Sequence, residues 1–219
     1  MKDINEMLNK EVQKYYAKEY LHYQKTIIEN NKGISDDRIM ISKFIKKLKM
    51  HGDIIDIGCG NCQWFPLFAN KINHYYALEV NKKALFFSPK DKKIIPICKN
   101  IFDEDYHISK SILSRVECVF FSFFLSHFSD STISELFQKI SGIDSIIIVD
   151  SLWGAKHKIK HSTKELQKIE RKISEKDHIK LPKRFFDFSD LEKIGRAWHY
   201  SITDFLEGNY WFICKMKKL

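Results

Sequence analysis

Asp53-Ile54-Ile55-Asp56-Ile57-Gly58-Cys59-Gly60-Asn61-Cys62 sets a short apolar run directly against a turn with glycine at two alternate positions. Such a run reads as a strand buried on both faces. Glycine behind it lets the backbone bend sharply and approach a ligand closely. Nineteen residues beyond Gly60 stands Glu79, near the end of Tyr75-Tyr76-Ala77-Leu78-Glu79-Val80. An acidic residue about 20 positions after a glycine turn is the ribose-binding feature of nucleotide folds, because its carboxylate accepts from both ribose hydroxyls.

Outward from this turn, short apolar runs alternate with helical stretches. Strands are expected at Ile54 to Ile57, Tyr75 to Val80, Ile94 to Cys98, Glu117 to Ser122 and Ser145 to Asp150, with helices near 61–71, 81–87, 108–114 and 130–141. Ahead of them, residues 4 to 30 read as a helix, and Ser35-Asp36-Asp37 reads as the cap of a second. Beyond Asp150 the sequence predicts a long charged helix over roughly 154–176 and a short helix opened by Ser189-Asp190. Two aromatic-rich strands follow, Trp198 to Phe205 and Tyr210 to Met216, around the hairpin signal Glu207-Gly208-Asn209. The expected fold is α/β: a doubly wound, mostly parallel, seven-stranded sheet with a C-terminal antiparallel hairpin and helices on both faces. Residues 1–219 read as one domain, with 1–50 as an N-terminal helical lid, 51–150 as a cofactor-binding core and 151–219 as the acceptor-side helix and hairpin.

Composition narrows the class. The chain has 219 residues, 44% hydrophobic and 30% charged, with only eight Gly and four Pro, which excludes disorder and collagen-like structure. Its most apolar stretch, Val119 to Leu125, is far shorter than the roughly 20 residues a membrane span needs. The start, Met1-Lys2-Asp3-Ile4-Asn5-Glu6, shows no secretory pattern, so the expected compartment is the cytoplasm. Five cysteines, mostly inside or beside apolar runs, read as reduced thiols. Cys59 and Cys62 have a metal or redox spacing, but no second pair closes a tetrahedral site, and no metal is expected. The formal charge is +9, concentrated between Lys156 and Arg184, where eleven Lys or Arg face four Asp or Glu. That field steers anions toward the chain and says nothing of its fold.

The segment Asp56-x-Gly58-x-Gly60 resembles motif I of class I, Rossmann-like S-adenosylmethionine-dependent methyltransferases, with Cys62 where a third glycine is usual. The resemblance implies S-adenosyl-L-methionine as cofactor, held by Asp56, Gly58, Cys59, Gly60, Glu79 and Val80. Asn100, Ile101 and Phe102 would lie on the adenine edge, and Ser122 would close the site at the end of the fourth strand. A nicotinamide cofactor would prefer the full Gly-x-Gly-x-x-Gly loop, and position 63 is Gln63. Leu125-Ser126-His127 after the fourth strand resembles a small-molecule O-methyltransferase group, and the polar-Pro-Pro-aromatic loop of amine-directed enzymes is absent. Tyr15-Tyr16-Ala17, Trp64, Val149-Asp150 and Lys180-Leu181-Pro182-Lys183-Arg184-Phe185 extend the likeness along most of the chain. It implies Tyr16 and Trp64 at the cofactor, His127 and Lys183 as catalytic residues, and Trp153, Arg171, Lys180 and Arg184 at the acceptor.

The expected activity is methyl transfer from S-adenosylmethionine to a small, anionic oxygen acceptor. An ionised acceptor needs holding more than deprotonating, and Lys183 with Lys180 or Arg184 would hold it. His127 would act as general base for a hydroxyl acceptor, or merely hold its loop through a backbone bond. Phe123, Phe124 and Phe128 read as core in preference to sulfonium partners. Trp153, Tyr16, Tyr20 and Tyr23 are candidates for a lid, or a plain core stripe. Two other readings stand beside this one: an RNA methyltransferase, motivated by the charge but lacking any dedicated RNA-binding motif, and a non-catalytic protein that keeps the cofactor fold as a binding scaffold.

Overall fold

In the computed structural model, which describes residues 32–158, 160–172 and 178–219, the quoted run forms strand β1 (Asp53–Ile57), buried along its whole length. It lies between β2 (Tyr75–Leu78) and β4 (Val116–Ser122), parallel to both. Strand β3 (Ile94–Ile97) extends the sheet beyond β2, and β5 (Ser145–Ser151) beyond β4. The C-terminal strands β8 (Tyr200–Glu207) and β9 (Trp211–Lys218) form an antiparallel hairpin, and β9 runs antiparallel to β5. The seven strands follow the order β3-β2-β1-β4-β5-β9-β8. Strand order reverses direction between β1 and β4, the place where open α/β sheets bind ligands outside their carboxyl ends.

Because β1 is buried on both faces, its side chains divide between two cores. Ile55 and Ile57 join Val119, Phe121, Ile146 and Ile148 on one face. That face is covered by α5 (Asp130–Lys139) and α7 (Phe188–Ala197) through Leu136, Phe137 and Leu191. Ile54 joins Tyr75, Ala77, Phe120 and Val149 on the other, under α1 (Lys32–Lys47) and α2 (Phe65–Phe68). Ile41 and Ile45, one turn apart on α1, are fully buried there. Burial of an isoleucine side chain stabilises by about 1.5–3 kcal/mol, so this pair is enough to dock the helix.

Short helices α3 (Lys82–Phe86) and α4 (Lys110–Leu113) complete the crossovers, each opened by a side-chain cap, from Asn81 and Ser109. They and α2 are shorter than the periodicity predicts. The expected cap at Ser35 is not formed, because Ser35 lies inside α1. Asp37 instead serves the other end of the chain. Fully buried, its carboxylate accepts from the backbone N–H groups of Asn209, Tyr210 and Trp211 and from the Asn209 amide, at 2.6–3.1 Å. This fastens α1 to the β8–β9 turn. The expected opening of α7 by Ser189-Asp190 moves two residues upstream: Asp187 caps Phe188–Ala197 in a reciprocal box with Asp190.

The long charged helix expected over 154–176 is the main correction. Among the described residues of that stretch only α6 (Ala155–Lys158) is helical, and β6 (Gln167–Lys172) pairs with β7 (His178–Lys183) in a separate two-stranded antiparallel sheet. The cause is a period of two hidden in a charged stretch. Ile169 stands opposite Leu181, and Glu170 opposite Lys180, an apolar pair beside a pair of opposite charge. Of the expected lid, Tyr16, Tyr20 and Tyr23 lie outside the described residues.

Candidate active site

The turn after β1 alternates left-handed residues: Gly58 (φ +74°), Gly60 (φ +56°) and Cys62 (φ +59°). Gly58 N–H and Cys59 N–H donate to Leu78 O at 2.8 and 3.3 Å, tying the turn to the end of β2. A Cβ on Gly58 would stand 2.2 Å from Phe124 Cδ2, so only glycine fits beneath that ring. Cys62 adopts the left-handed conformation despite its Cβ, at a cost of about 1–2 kcal/mol. Its fully buried thiol lies 3.3 Å from Ser88 Oγ, a packing role that a third glycine could not fill.

Glu79 closes the turn from β2. Its Oε2 accepts from Gly60 N–H at 3.0 Å and its Oε1 from Asn81 N–H at 2.9 Å. Burial raises the carboxyl, and these backbone donors, with that of Val80, pull it back. Asp56 is completely buried; its Oδ2 accepts from the Tyr75 hydroxyl, and its Oδ1 has no hydrogen-bond partner. Burial pushes the Asp56 carboxyl up to about 7, the Tyr75 hydrogen bond opposes the rise, and the Glu79 charge adds to it. Burial likewise pushes the Cys59 thiol well up. Among the described residues no group of three or more His, Cys, Asp or Glu is arranged to hold a metal ion.

At the end of β3, Asn100 folds onto its own loop. Its Nδ2 donates to Asp103 Oδ1 at 2.9 Å, and its Oδ1 accepts from Phe102 N–H at 3.1 Å. Ile101 is buried, Val80 is exposed, and the Phe102 ring lies parallel to Phe124 with centroids 6.3 Å apart. Phe124 also stacks on Phe121 and tilts against Phe128, so the residues after β4 build an aromatic wall beside the glycine turn. Ser122 accepts from the Trp64 indole N–H at 2.8 Å, while Arg38 from α1 lies 5.6 Å over the Trp64 ring.

The turn after β4 is organised by Asp150 at the end of β5. Fully buried, it accepts from Ser126 N–H at 3.0 Å and Ser151 N–H at 2.7 Å, and lies 3.5 Å from Lys183 Nζ. Lys183 is buried too and donates to Ser126 Oγ at 2.5 Å. Its ammonium is therefore engaged with the Leu125–His127 turn and with Asp150. Pro182 O faces His127 Nδ1 at 2.8 Å, and Arg184 N–H donates to Ser126 O at 2.8 Å. A carbonyl can only accept, so Nδ1 carries the proton and Nε2 is the basic nitrogen of the neutral ring. Three consecutive residues after Leu181 thus fasten the His127 turn.

Arg184 is buried with its guanidinium on Asp130 and 4.8 Å over the Phe186 ring. Lys180 is exposed on β7, and the Arg171 side chain lies outside the described residues. Trp153, just after β5, packs against Phe185 at 5.8 Å. The fold therefore brings Asp56, Gly58, Cys59, Gly60 and Glu79 to one turn, and gathers Ser126, His127, Asp150 and Lys183 beyond the ends of β4 and β5. Sequence reasoning missed Tyr75 as the partner of Asp56, Phe124 as the cover of Gly58, and Asp150 as a hub. The last was visible only as a strand end.

The sequence matches no protein-family model and no curated protein. Solved structures are similar in fold. A complex of DhpI with SAM and HEP superposes with TM-score 0.79 at 14% identity, covering 96% of this chain and 97% of that one. The 1,6-didemethyltoxoflavin-N1-methyltransferase of Burkholderia thailandensis, with bound 1,6-didemethyltoxoflavin and S-adenosylhomocysteine, gives 0.60 at 11% identity over 90% and 83%. An S-adenosylmethionine-dependent methyltransferase from Clostridium acetobutylicum ATCC 824 gives 0.56 at 13% identity over 90% and 96%. The seven-stranded sheet order, the antiparallel C-terminal hairpin and these superpositions together establish that the chain has the fold of class I, Rossmann-like S-adenosylmethionine-dependent methyltransferases.

Proposed function

We propose that this chain is an S-adenosylmethionine-dependent methyltransferase that methylates an oxygen of a small, anionic acceptor. The observation that carries the reading is the convergence of the Gly58–Gly60 turn, Glu79 and the Asn100–Phe102 loop outside the carboxyl ends of β1, β2 and β3, with Asp56 buried in β1 just before the turn. The residues fit such a cofactor. Gly58 and Gly60 keep the turn tight at positive φ, with the Phe124 ring over Gly58, Glu79 offers a carboxylate for ribose hydroxyls, and the unpartnered Asp56 Oδ1 is a buried negative end suited to a cationic ligand. The structures of DhpI with SAM and with SAH, of similar fold, support the same assignment.

When bound, the cofactor supplies an electrophilic methyl group. The chain's own residues do the rest. Phe124, Phe102 and Phe128 form an apolar wall that excludes water from one side of the site. The Leu125–His127 turn, pinned by Lys183, Pro182 and Arg184, presents the His127 ring in one tautomer. Holding reacting groups at about 3–3.5 Å contributes roughly 7–11 kcal/mol, so a rigid turn matters more than a strong base. The acceptor reading rests on this basic strand and on the resemblance of Arg171, Lys180 and Lys183 to the basic positions of the phosphonate O-methyltransferase of dehydrophos biosynthesis.

Calorimetry with S-adenosylmethionine and its demethylated product tests the cofactor half; folded protein that gives no heat at submillimolar ligand refutes it. Transfer of labelled methyl to small alkylphosphonates and carboxylates, set against mixed RNA, tests the other half. Label found on RNA overturns the small-molecule reading, and binding without transfer to any acceptor favours a scaffold protein. Lys183→Ala is expected to spare cofactor affinity and weaken acceptor use.

A further inference from the structure

Beneath the glycine turn lies a buried cluster of protic groups that ordinary packing does not require. Tyr75 is completely buried, edge-on to Phe65 at 5.4 Å, and its hydroxyl reaches across from β2 to Asp56 Oδ2 on β1. A carboxyl this deep normally has both oxygens satisfied. Here Oδ1 is left without a partner, directly behind the turn on which the proposed cofactor would rest. An apolar residue at position 56 would remove that cost, and a phenylalanine at position 75 would pack as well.

We propose that Tyr75 is a positioning residue for cofactor binding: by holding Asp56 through Oδ2 it makes Asp56 the buried counter-charge of a cationic cofactor. The inference rests on the reading of this site as one for S-adenosylmethionine, whose sulfonium and ammonium groups are cationic. The groups that face Asp56 are Tyr75 from β2, Glu79 from the end of β2, and Cys59 from the turn itself, with Cys62 beside Tyr75 and Cys59. None of these is a cation among the described residues, so the Tyr75 hydrogen bond favours the ionised carboxylate and a cationic ligand would favour it further. Asp56 titrates at about 7 in the absence of ligand, raised chiefly by burial. Below pH 7 the carboxyl is therefore protonated and must lose its proton when the cation binds, and above pH 7 it is already charged.

For the whole chain, affinity for S-adenosylmethionine is expected to rise roughly eightfold between pH 6 and 7.5, with proton release on binding near pH 6. The carbonyl band of protonated Asp56, identified by its loss in Asp56→Asn, should titrate near 7 without ligand. Tyr75→Phe keeps the ring and its packing but removes the hydrogen bond that lowers the carboxyl. The infrared midpoint should then move up by about half a pH unit or more, and cofactor affinity at pH 7 should fall roughly twofold or more. An unchanged midpoint and affinity in Tyr75→Phe overturn the inference. So does cofactor binding to the native chain that is independent of pH and releases no proton, a result that needs no variant to fold. Infrared titration as expected with no cofactor heat at all refutes the cofactor reading itself, and the inference with it.

Discussion

Replacing Gly58 by alanine tests whether the turn is built as described. Two separable costs are expected. The first is conformational: at φ +74° a residue with a Cβ loses about 1–2 kcal/mol relative to glycine. The second is steric, since the new Cβ would stand 2.2 Å from Phe124 Cδ2 and 2.8 Å from Cε2. The ring must move, and it cannot do so alone, being stacked on Phe121 and Phe102 and packed against Phe128. Overpacking of this kind costs about 1–3 kcal/mol. Gly58→Ala should therefore lose about 2–5 kcal/mol, a measurable share of the roughly 5–15 kcal/mol typical of a folded domain. Urea denaturation followed by circular dichroism reads this as a lower midpoint at an unchanged slope. The two parts separate in a double-mutant cycle. Phe124→Ala in the Gly58→Ala background relieves the clash and leaves the backbone cost, so the pair should couple favourably by about 1–3 kcal/mol. Additive losses, or a single-variant loss under about 1 kcal/mol, refute the reasoning.

Asp37→Ala strands three backbone N–H groups of the β8–β9 turn, and with partial rehydration should cost about 3–5 kcal/mol in urea denaturation; a loss under about 1 kcal/mol means the carboxylate does not hold the hairpin. Among the cysteines Cys98 alone is exposed, and burial pushes the Cys118 and Cys214 thiols up to about 12. A chromogenic disulfide should accordingly label one thiol rapidly in the native chain and the other four only in denaturant. Two or more fast thiols contradict the packing described for the turn.

Much of this was legible in the sequence, for definable reasons. Runs such as Ile54 to Ile57 and Ser145 to Asp150 are buried on both faces, and their uninterrupted apolar character carries that information locally; the strand ends fall within two residues of those expected. Gly58, Gly60 and Glu79 come together as their spacing implies, because a βαβ unit fixes the distance between one strand end and the next. The β6–β7 pair was illegible because Lys168, Glu170, Lys172 and Lys180 mask an alternation that only the partner strand reveals. Tyr75 on Asp56, and Lys183 on Asp150, depend on register and on contacts between residues far apart in the chain, which no local pattern encodes.

The self-contained β6–β7 ribbon bears on how a protein of this kind diversifies. Its ladder is satisfied internally, and its backbone joins to the rest include Arg184 N–H to Ser126 O and Phe185 N–H to Lys164 O. A lineage can rewrite the outward side chains of such an appendage without disturbing the registers of the great sheet.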